Sequence, residues 1–407
     1  MSRPETPFAW SVTTPAAWPE APAQMTVTTL VEIEACPRRW SLGRAAYPDL
    51  WPGQGYPPRV QIGALAGNVV HSTLEVITMA LIEAGCPSVQ DSMVTKTLKD
   101  LGGFTKVVND CIDRVLKRVA TNPRAARIFE SASRTLRAQV PELRTRVQAM
   151  LCRVQIREIS DYQTQRDAVI RRRALPTGVF SEIELHAISI GWKGKADLLV
   201  LSPSNCEISD FKTGAPDEGH SFQIQVYALL WSRDGALNPD RRRADRLLLR
   251  YNSQDVEVAA PTDSELDDLE RQLIARRDAA VQAVSQMPPE ARPDAETCQY
   301  CAVRQLCDNY WTAETQHRIA RQAGPRRFAD IQLTIIGRHG PTSWDAVIEL
   351  CGDVSAGRTA VLRTSGDIEF NADDRLRILD ASIAADLEKM QPLIVTLGLL
   401  SEAYALP

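Results

Sequence analysis

The chain has no run of 18 consecutive apolar residues, so no membrane span is expected. It shows no secretory leader either. Residues 1–24 are rich in Pro, Ala and Trp but hold no continuous apolar core. Neither sign of charge dominates: 47 Lys and Arg stand against 51 Asp and Glu, net −4. That balance excludes a wholly basic nucleic-acid coat and leaves room for a local basic groove. A working phosphate-binding loop is missing. Gly352-x4-Gly357-Arg358-Thr359 comes near, but Arg stands where Lys belongs. It also leads into a strand, whereas such loops open a helix. No ATPase motor is visible. Nine cysteines is an odd number, and without an export signal a disulfide scaffold is not expected. A cytoplasmic location is the expectation. Cys86, Cys111, Cys152, Cys206 and Cys351 are scattered singly and read as small buried hydrophobes.

What remains is an ordinary folded composition, 44% hydrophobic and 24% charged over 407 residues. That length suits two domains. Residues 1–24 read as a disordered or loosely docked arm. Thr28 or Thr29 would cap a helix over 26–46, and residues 47–58, with four prolines and two glycines, form a loop. A helix is expected from Leu65 to Ala84, stopped by Gly85 and Pro87. Residues 89–173 read as helical, with Pro123 and Pro141 starting new helices. Within them, Arg114–Arg173 carries 15 basic residues and 5 acids. That segment is either a solvated helical face or a phosphate-binding surface. The period then alternates. Strands are expected over Ser181–Ile190, Lys193–Leu201, Cys206–Lys212, Arg246–Tyr251 and Asp255–Ala259. Helices are expected over 221–232 and 262–286. Beyond residue 325, five short strands (Ile331–Gly337, Ser343–Cys351, Thr359–Ser365, Leu376–Ala381, Leu393–Leu399) suggest a small, OB-like barrel. The division is an arm (1–24), an α/β domain (25–315) with a helical insertion near 89–173, and a β-rich domain (325–407).

The chemistry concentrates in Lys193–Gly214, KGKADLLVLSPSNCEISDFKTG. With the turn centred between Pro203 and Ser204, residues whose numbers sum to 407 face each other. Asp197 then opposes Asp210 on one face. Lys212, two residues on, shares that face. Opposed carboxylates repel, and Asp is a poor strand former. A divalent cation between them would make the pair tolerable, and the lysine could orient water or offset developing negative charge. Pro-Ser is a poor two-residue turn, so this register needs a longer, symmetric loop. Glu182 and Glu184 precede on the neighbouring strand. His71 lies on the first long helix, after Gly67. Gln223 and Tyr227 are spaced i, i+4 on a later helix.

This order resembles the RecB-type branch of the PD-(D/E)XK nucleases: Gly67-x3-His71, Glu182-x14-Asp197, Asp210-x-Lys212-Thr213-Gly214, Gln223-x3-Tyr227. The resemblance covers roughly residues 28–310 and implies a restriction-endonuclease-like α/β core. It implies that His71, Asp197 and Asp210, with the Phe211 carbonyl, bind Mg²⁺ or Mn²⁺. Lys212 would serve the attacking water, Glu182 would join the acidic set, and Gln223 and Tyr227 would support the site. DNA is then the expected substrate, with exonucleolytic attack on single strands in repair, recombination or defence.

Cys298-x2-Cys301-x5-Cys307 offers three thiolates within ten residues, one fewer than a metal site usually has. Cys36, in Glu-Ala-Cys-Pro-Arg-Arg-Trp, is a candidate fourth. The pattern is similar to iron–sulfur RecB-like nucleases of the AddB type and the CRISPR-associated exonucleases. That likeness implies a [4Fe–4S] cluster on Cys36, Cys298, Cys301 and Cys307, with Zn²⁺ as the competitor. A second reading is a non-cleaving DNA-binding or scaffold subunit for a helicase partner. Retention of Asp197, Asp210 and Lys212 together argues against it. A third is a zinc-stabilised adaptor without nucleic acid. The β-rich C-terminal region has few aromatics (Phe328, Trp344, Phe370, Tyr404), so protein docking is as good a reading there as base stacking.

Overall fold

The structure, a computed structural model, describes residues 9–154, 162–323, 328–352, 354–364, 369–384 and 392–407. The described residues open with a short strand, β1 (Ala9–Ser11), and two helices, α1 (Val27–Ala35) and α2 (Pro37–Arg44). The single helix expected over 26–46 is therefore broken. Pro37 has no N–H and fits only the first turn of a new helix, so α1 ends at the extended residue Cys36. The cap of α1 is Thr26, whose hydroxyl accepts from the Thr29 N–H, rather than Thr28 or Thr29.

Six helices follow: α3 (Ile62–Glu83), α4 (Ser92–Asp100), α5 (Phe104–Val119), α6 (Phe129–Ala138), α7 (Val140–Leu151) and α8 (Tyr162–Ile170). α3 ends in a Schellman motif. Gly85, at φ 71°, donates to the Ile82 carbonyl and Cys86 to that of Leu81. By length and composition α3 could cross a membrane, but 61% of its most apolar window is buried inside the protein, as in a core helix. Ile77 on it is fully buried, and Ile77→Ala would cost about 2–5 kcal/mol.

The first sheet runs in the order β2-β3-β4-β5-β6: β2 (Gly178–Ala187), β3 (Trp192–Leu201), β4 (Cys206–Lys212), β5 (Arg246–Tyr251) and β6 (Asp255–Val258). β4 and β5 pair in parallel, joined through α9 (Glu218–Arg233); the other pairings are antiparallel. α10 (Asp263–Ser285) starts in a capping box of Thr262 and Glu265. The sheet is covered on both faces. One apolar core joins it to α1, α9 and α10, and the other joins it to α3, α5 and α7. The strand expected over Ser181–Ile190 starts earlier and stops at Ala187, where Ile188–Ile190 turn as a short 3₁₀ helix.

After α11 (Ala295–Gln299) and α12 (Ala313–Ala323) comes a second, seven-stranded sheet: β1, β7 (Phe328–Gly340), β8 (Ser343–Leu350), β9 (Thr359–Arg363), β10 (Arg375–Ile383), β11 (Leu393–Thr396) and β12 (Glu402–Ala405). Five of these close a ring, β7-β8-β9-β11-β10-β7, in which only β9 and β11 are parallel. The other two extend it. β12 pairs with β10, and β1 adds to β12 in parallel, so Ala9–Ser11 of the N-terminal arm is docked on this sheet, while Ala16 and Ala17 bond to Ala46.

Candidate active site

The β3–β4 hairpin keeps the predicted register. Leu198 pairs with Ser209 and Leu201 with Cys206, leaving Ser202–Asn205 as a symmetric loop closed by a Ser202 N–H to Asn205 carbonyl bond of 2.8 Å. Continued by one residue, the ladder sets Asp197 against Asp210. On the other side, Ser181 pairs with Leu198 and Ile183 with Ala196, so Glu182 stands opposite Asp197. Three carboxylates thus lie in a row across β2, β3 and β4. Glu184 does not join them. It pairs with Lys195, is mostly exposed, and its carboxylate lies 3.7 Å from the His186 ring.

The sheet changes face at this row. Ala196 and Leu198, two apart on β3, belong to different cores. Val179 and Ile183 on β2 do the same. Glu182 sits at φ 55°, a left-handed conformation rarely adopted by a residue with a long side chain. Such local strain is typical of sites where a side chain must be aimed.

The acids have different partners. Asp197 Oδ2 accepts from the Phe211 N–H at 2.6 Å and lies 3.9 Å from His71 Nδ1. Burial holds the Asp197 carboxyl well above the usual range. The nearby Asp210 and Glu182 add to this; the Phe211 N–H and Lys212 oppose it. Asp210 Oδ2 is buried and 2.6 Å from Lys212 Nζ, yet it has no partner in hydrogen-bonding geometry. Glu182 is ion-paired with Lys195. His71 is pushed down, first by burial and then by Lys212, against the pull of Asp210 and Glu182. From Lys212 a chain of bonds runs outward: Nζ to Gln223 Oε1 at 2.6 Å, and Gln223 Nε2 to the Tyr227 hydroxyl at 2.6 Å. Two glycines are fixed by close approach. A Cβ at Gly194 would lie 2.8 Å from the Tyr227 ring, and one at Gly67 3.0 Å from Thr213 Oγ1. These contacts seat α9 and α3 on the strands that carry the acids.

Four neighbours escaped the sequence reading. Lys195 holds Glu182, and Glu75 on α3 acts on Lys195. His220 Nδ1 lies 2.9 Å from the Tyr251 hydroxyl, and Tyr251 pairs with Lys212 in the β4–β5 ladder. The signal for His220 was available, since it precedes Gln223 by one helical turn.

Oxygen donors beside one imidazole suit a hard divalent cation. As placed, no three His, Cys, Asp or Glu side chains among the described residues stand close enough together to hold an ion. Asp210 and Glu182 face lysine ammoniums, and Asp197 an N–H.

The four cysteines line one small cavity of about 20 Å³. Cys36 caps α2, and its Sγ accepts from the Arg39 and Arg292 N–H groups at 3.4 Å each. Burial pushes the Cys298 thiol up to about 12 and that of Cys301 to about 11; Arg39 and Arg304 pull Cys301 the other way. An all-sulfur set fits a soft centre, zinc or iron–sulfur, which would carry the thiolate charge.

Much of the basic stretch is already committed. Arg124 is buried on Glu402, and Arg137, Arg146, Arg153 and Arg172 pair with Asp113, Glu142, Asp255 and Asp234. Arg157 lies outside the described residues.

The site is thus a set of carboxylates and a lysine on adjoining strands of a mixed α/β sheet packed between helices. Residues 24–308 match the family model of the PD-(D/E)XK nuclease superfamily, and the chain belongs to that superfamily. Its nucleases typically use Mg²⁺ or Mn²⁺. No curated protein matches the chain. The crystal structure of SSO0001 is similar over 47% of this chain and 82% of that one, at 17% identity and a TM-score of 0.24. The family assignment rests on the matched domain and not on that likeness.

Proposed function

We propose that this protein is a DNA nuclease of the RecB-like branch that hydrolyses single-stranded DNA from an end. The observation that carries the reading is the row Glu182–Asp197–Asp210 ending on Lys212, whose ammonium lies 2.6 Å from a buried Asp210 oxygen. His71, Asp197 and Asp210, with the Phe211 carbonyl, would hold Mg²⁺ or Mn²⁺. When bound, the ion activates water and offsets phosphate charge. Water oxygen attacks phosphorus while the bond to the departing sugar oxygen breaks. Lys212 holds the attacking water and balances charge on the phosphoryl oxygens. Gln223 fixes the ammonium, Tyr227 fixes Gln223, and Lys195 keeps Glu182 aimed at the row. The test is digestion of end-labelled single- and double-stranded oligonucleotides with Mg²⁺ or Mn²⁺. Stepwise loss from one end of the single strand is expected. No cleavage of either substrate would remove the reading.

The four cysteines are assigned to a [4Fe–4S] cluster that ties Cys36 to the far end of the domain. Closing so long a loop costs only slowly more with length, and ligation adds directly to folding free energy. The purified protein should be brown. Cys36→Ala should lose the colour and lower the melting temperature, while Cys86→Ala and Cys111→Ala keep the colour. A colourless native protein containing zinc would replace the cluster with zinc. The ring β7-β8-β9-β11-β10, with its one parallel pairing, supports an OB-like barrel. A helicase or other partner, and a cytoplasmic setting that keeps thiols reduced, complete the proposal.

A further inference from the structure

Next to the carboxylate row lies an open groove of about 400 Å³ that the chemistry does not use. It is bounded by the second half of α3, by α8 and by the edge strand β2. Its walls include three large apolar side chains left in solvent: Met79 at 37%, Val169 at 36% and Ile170 at 67% exposure. Exposed apolar surface gathered at one concavity marks a binding site. Four polar side chains edge it, Glu83, Gln165, Arg166 and Ser181, so its charge is mixed and its apolar walls set what it takes.

The groove is continuous with the site. Ser181 immediately precedes Glu182 on β2. Met79 follows His71 by eight residues on α3, roughly two turns and ~12 Å along the axis. A strand with its scissile phosphate at the acids therefore passes the groove within about two nucleotides. Apolar walls suit the flat faces of a heteroaromatic ring, and an exposed arginine suits the phosphate that accompanies it. A base stacked and paired in a duplex cannot enter such a groove.

We propose that this groove seats an unpaired nucleobase of the substrate strand. The inference rests on the single-strand nuclease reading and adds a base subsite to it. The test measures equilibrium binding of a fluorescent single-stranded oligonucleotide to the full chain, without divalent metal so that no cutting intervenes. An abasic residue is then stepped along the strand. One position near the bound end should weaken binding about tenfold when abasic. Val169→Asp/Ile170→Asp should weaken the intact strand by a similar factor and show no further loss on the abasic one. Ile170→Ala should give a smaller loss with the same pattern; melting temperature checks folding. If the protein cleaves single strands but no abasic position matters, the groove assignment falls while the nuclease reading stands. If the variants bind intact strands normally, the groove serves a protein contact and the proposal falls. If the protein neither binds nor cleaves single strands, both readings fall.

Discussion

Two clusters of buried charge in this molecule are built on opposite rules. At the carboxylate row, three acids face one another with lysine partners at the margins. Where the second sheet meets the first domain, three arginines face three acids. Arg304 bonds Asp330 at 2.6 Å and Asp380 at 3.1 Å, and Arg124 grips both oxygens of Glu402 at 2.7 and 2.8 Å. Arg59 pairs with Asp380 and Glu402, and Tyr310 donates to Asp330 at 2.6 Å. The pKa directions follow the balance. Burial holds Asp197 up. At the junction burial pushes the same way, but Arg304 outweighs it at Asp330 and Arg124 at Glu402, and both carboxyls are held low. Matched charge glues surfaces together; unmatched charge is kept only where chemistry needs it. The β-rich region is therefore a fixed part of the body. Its Leu379 and Tyr404 share a core with the cysteine segment.

The largest effect should come from the unmatched cluster. Lys212→Ala should slow cleavage about 10²–10⁴-fold, and Asp210→Asn should abolish it, with single-strand binding retained in both. Full activity in Asp210→Asn would show that the row is not the reaction centre. At the junction, Asp330→Ala leaves Arg304 buried without its main partner and should cost about 3–5 kcal/mol in denaturant unfolding. Cleavage should survive below the new midpoint. Asp197→Asn should do the reverse, removing repulsion and raising the melting temperature while cleavage is lost. Equal destabilisation by Asp330→Ala and Asp197→Asn would erase the distinction.

Acid should separate the clusters too. Asp330 and Glu402 are depressed in the folded state, so their contribution is present above the unfolded carboxylate range. It is lost as pH falls through the folded values. Stability should drop on acidification below about pH 4, and less so in Asp330→Asn/Glu402→Gln. Identical acid profiles for that variant and the native chain would contradict the assignment.

The sequence made the β3–β4 register legible because the Ser202–Asn205 loop is symmetric, and one residue of slip would have turned every side chain over. The meeting of Cys36 with Cys298, Cys301 and Cys307 at one pocket was legible through the family resemblance, and α3 by its period and Gly85. The face change at Glu182 was not legible, because strand alternation assumes a uniform pleat and φ 55° breaks it. The junction was hidden for a different reason. Arg124 and Glu402 are 278 residues apart, and no local pattern announces such a pair. The same blindness inflated the basic stretch, where charges counted as free were spoken for.

That correction sharpens the smallest prediction. Arg134 and Arg144 are exposed, and among the described residues neither has an ion partner, whereas Arg137 and Arg146 lie 2.6 and 2.5 Å from Asp113 and Glu142. Each phosphate that is no longer neutralised should reduce the slope of log affinity against log salt by about 0.7 for a single strand. Arg134→Glu/Arg144→Glu should therefore flatten the salt dependence by one to two such steps. Arg137→Glu/Arg146→Glu should change it less, since those guanidiniums already have a carboxylate to neutralise them. Equal slopes for both double variants would mean that surface pairing does not decide which arginines meet DNA. An unchanged slope in Arg134→Glu/Arg144→Glu would make the helical insertion a solvated face and confine the distinction between matched and unmatched charge to the protein's interior.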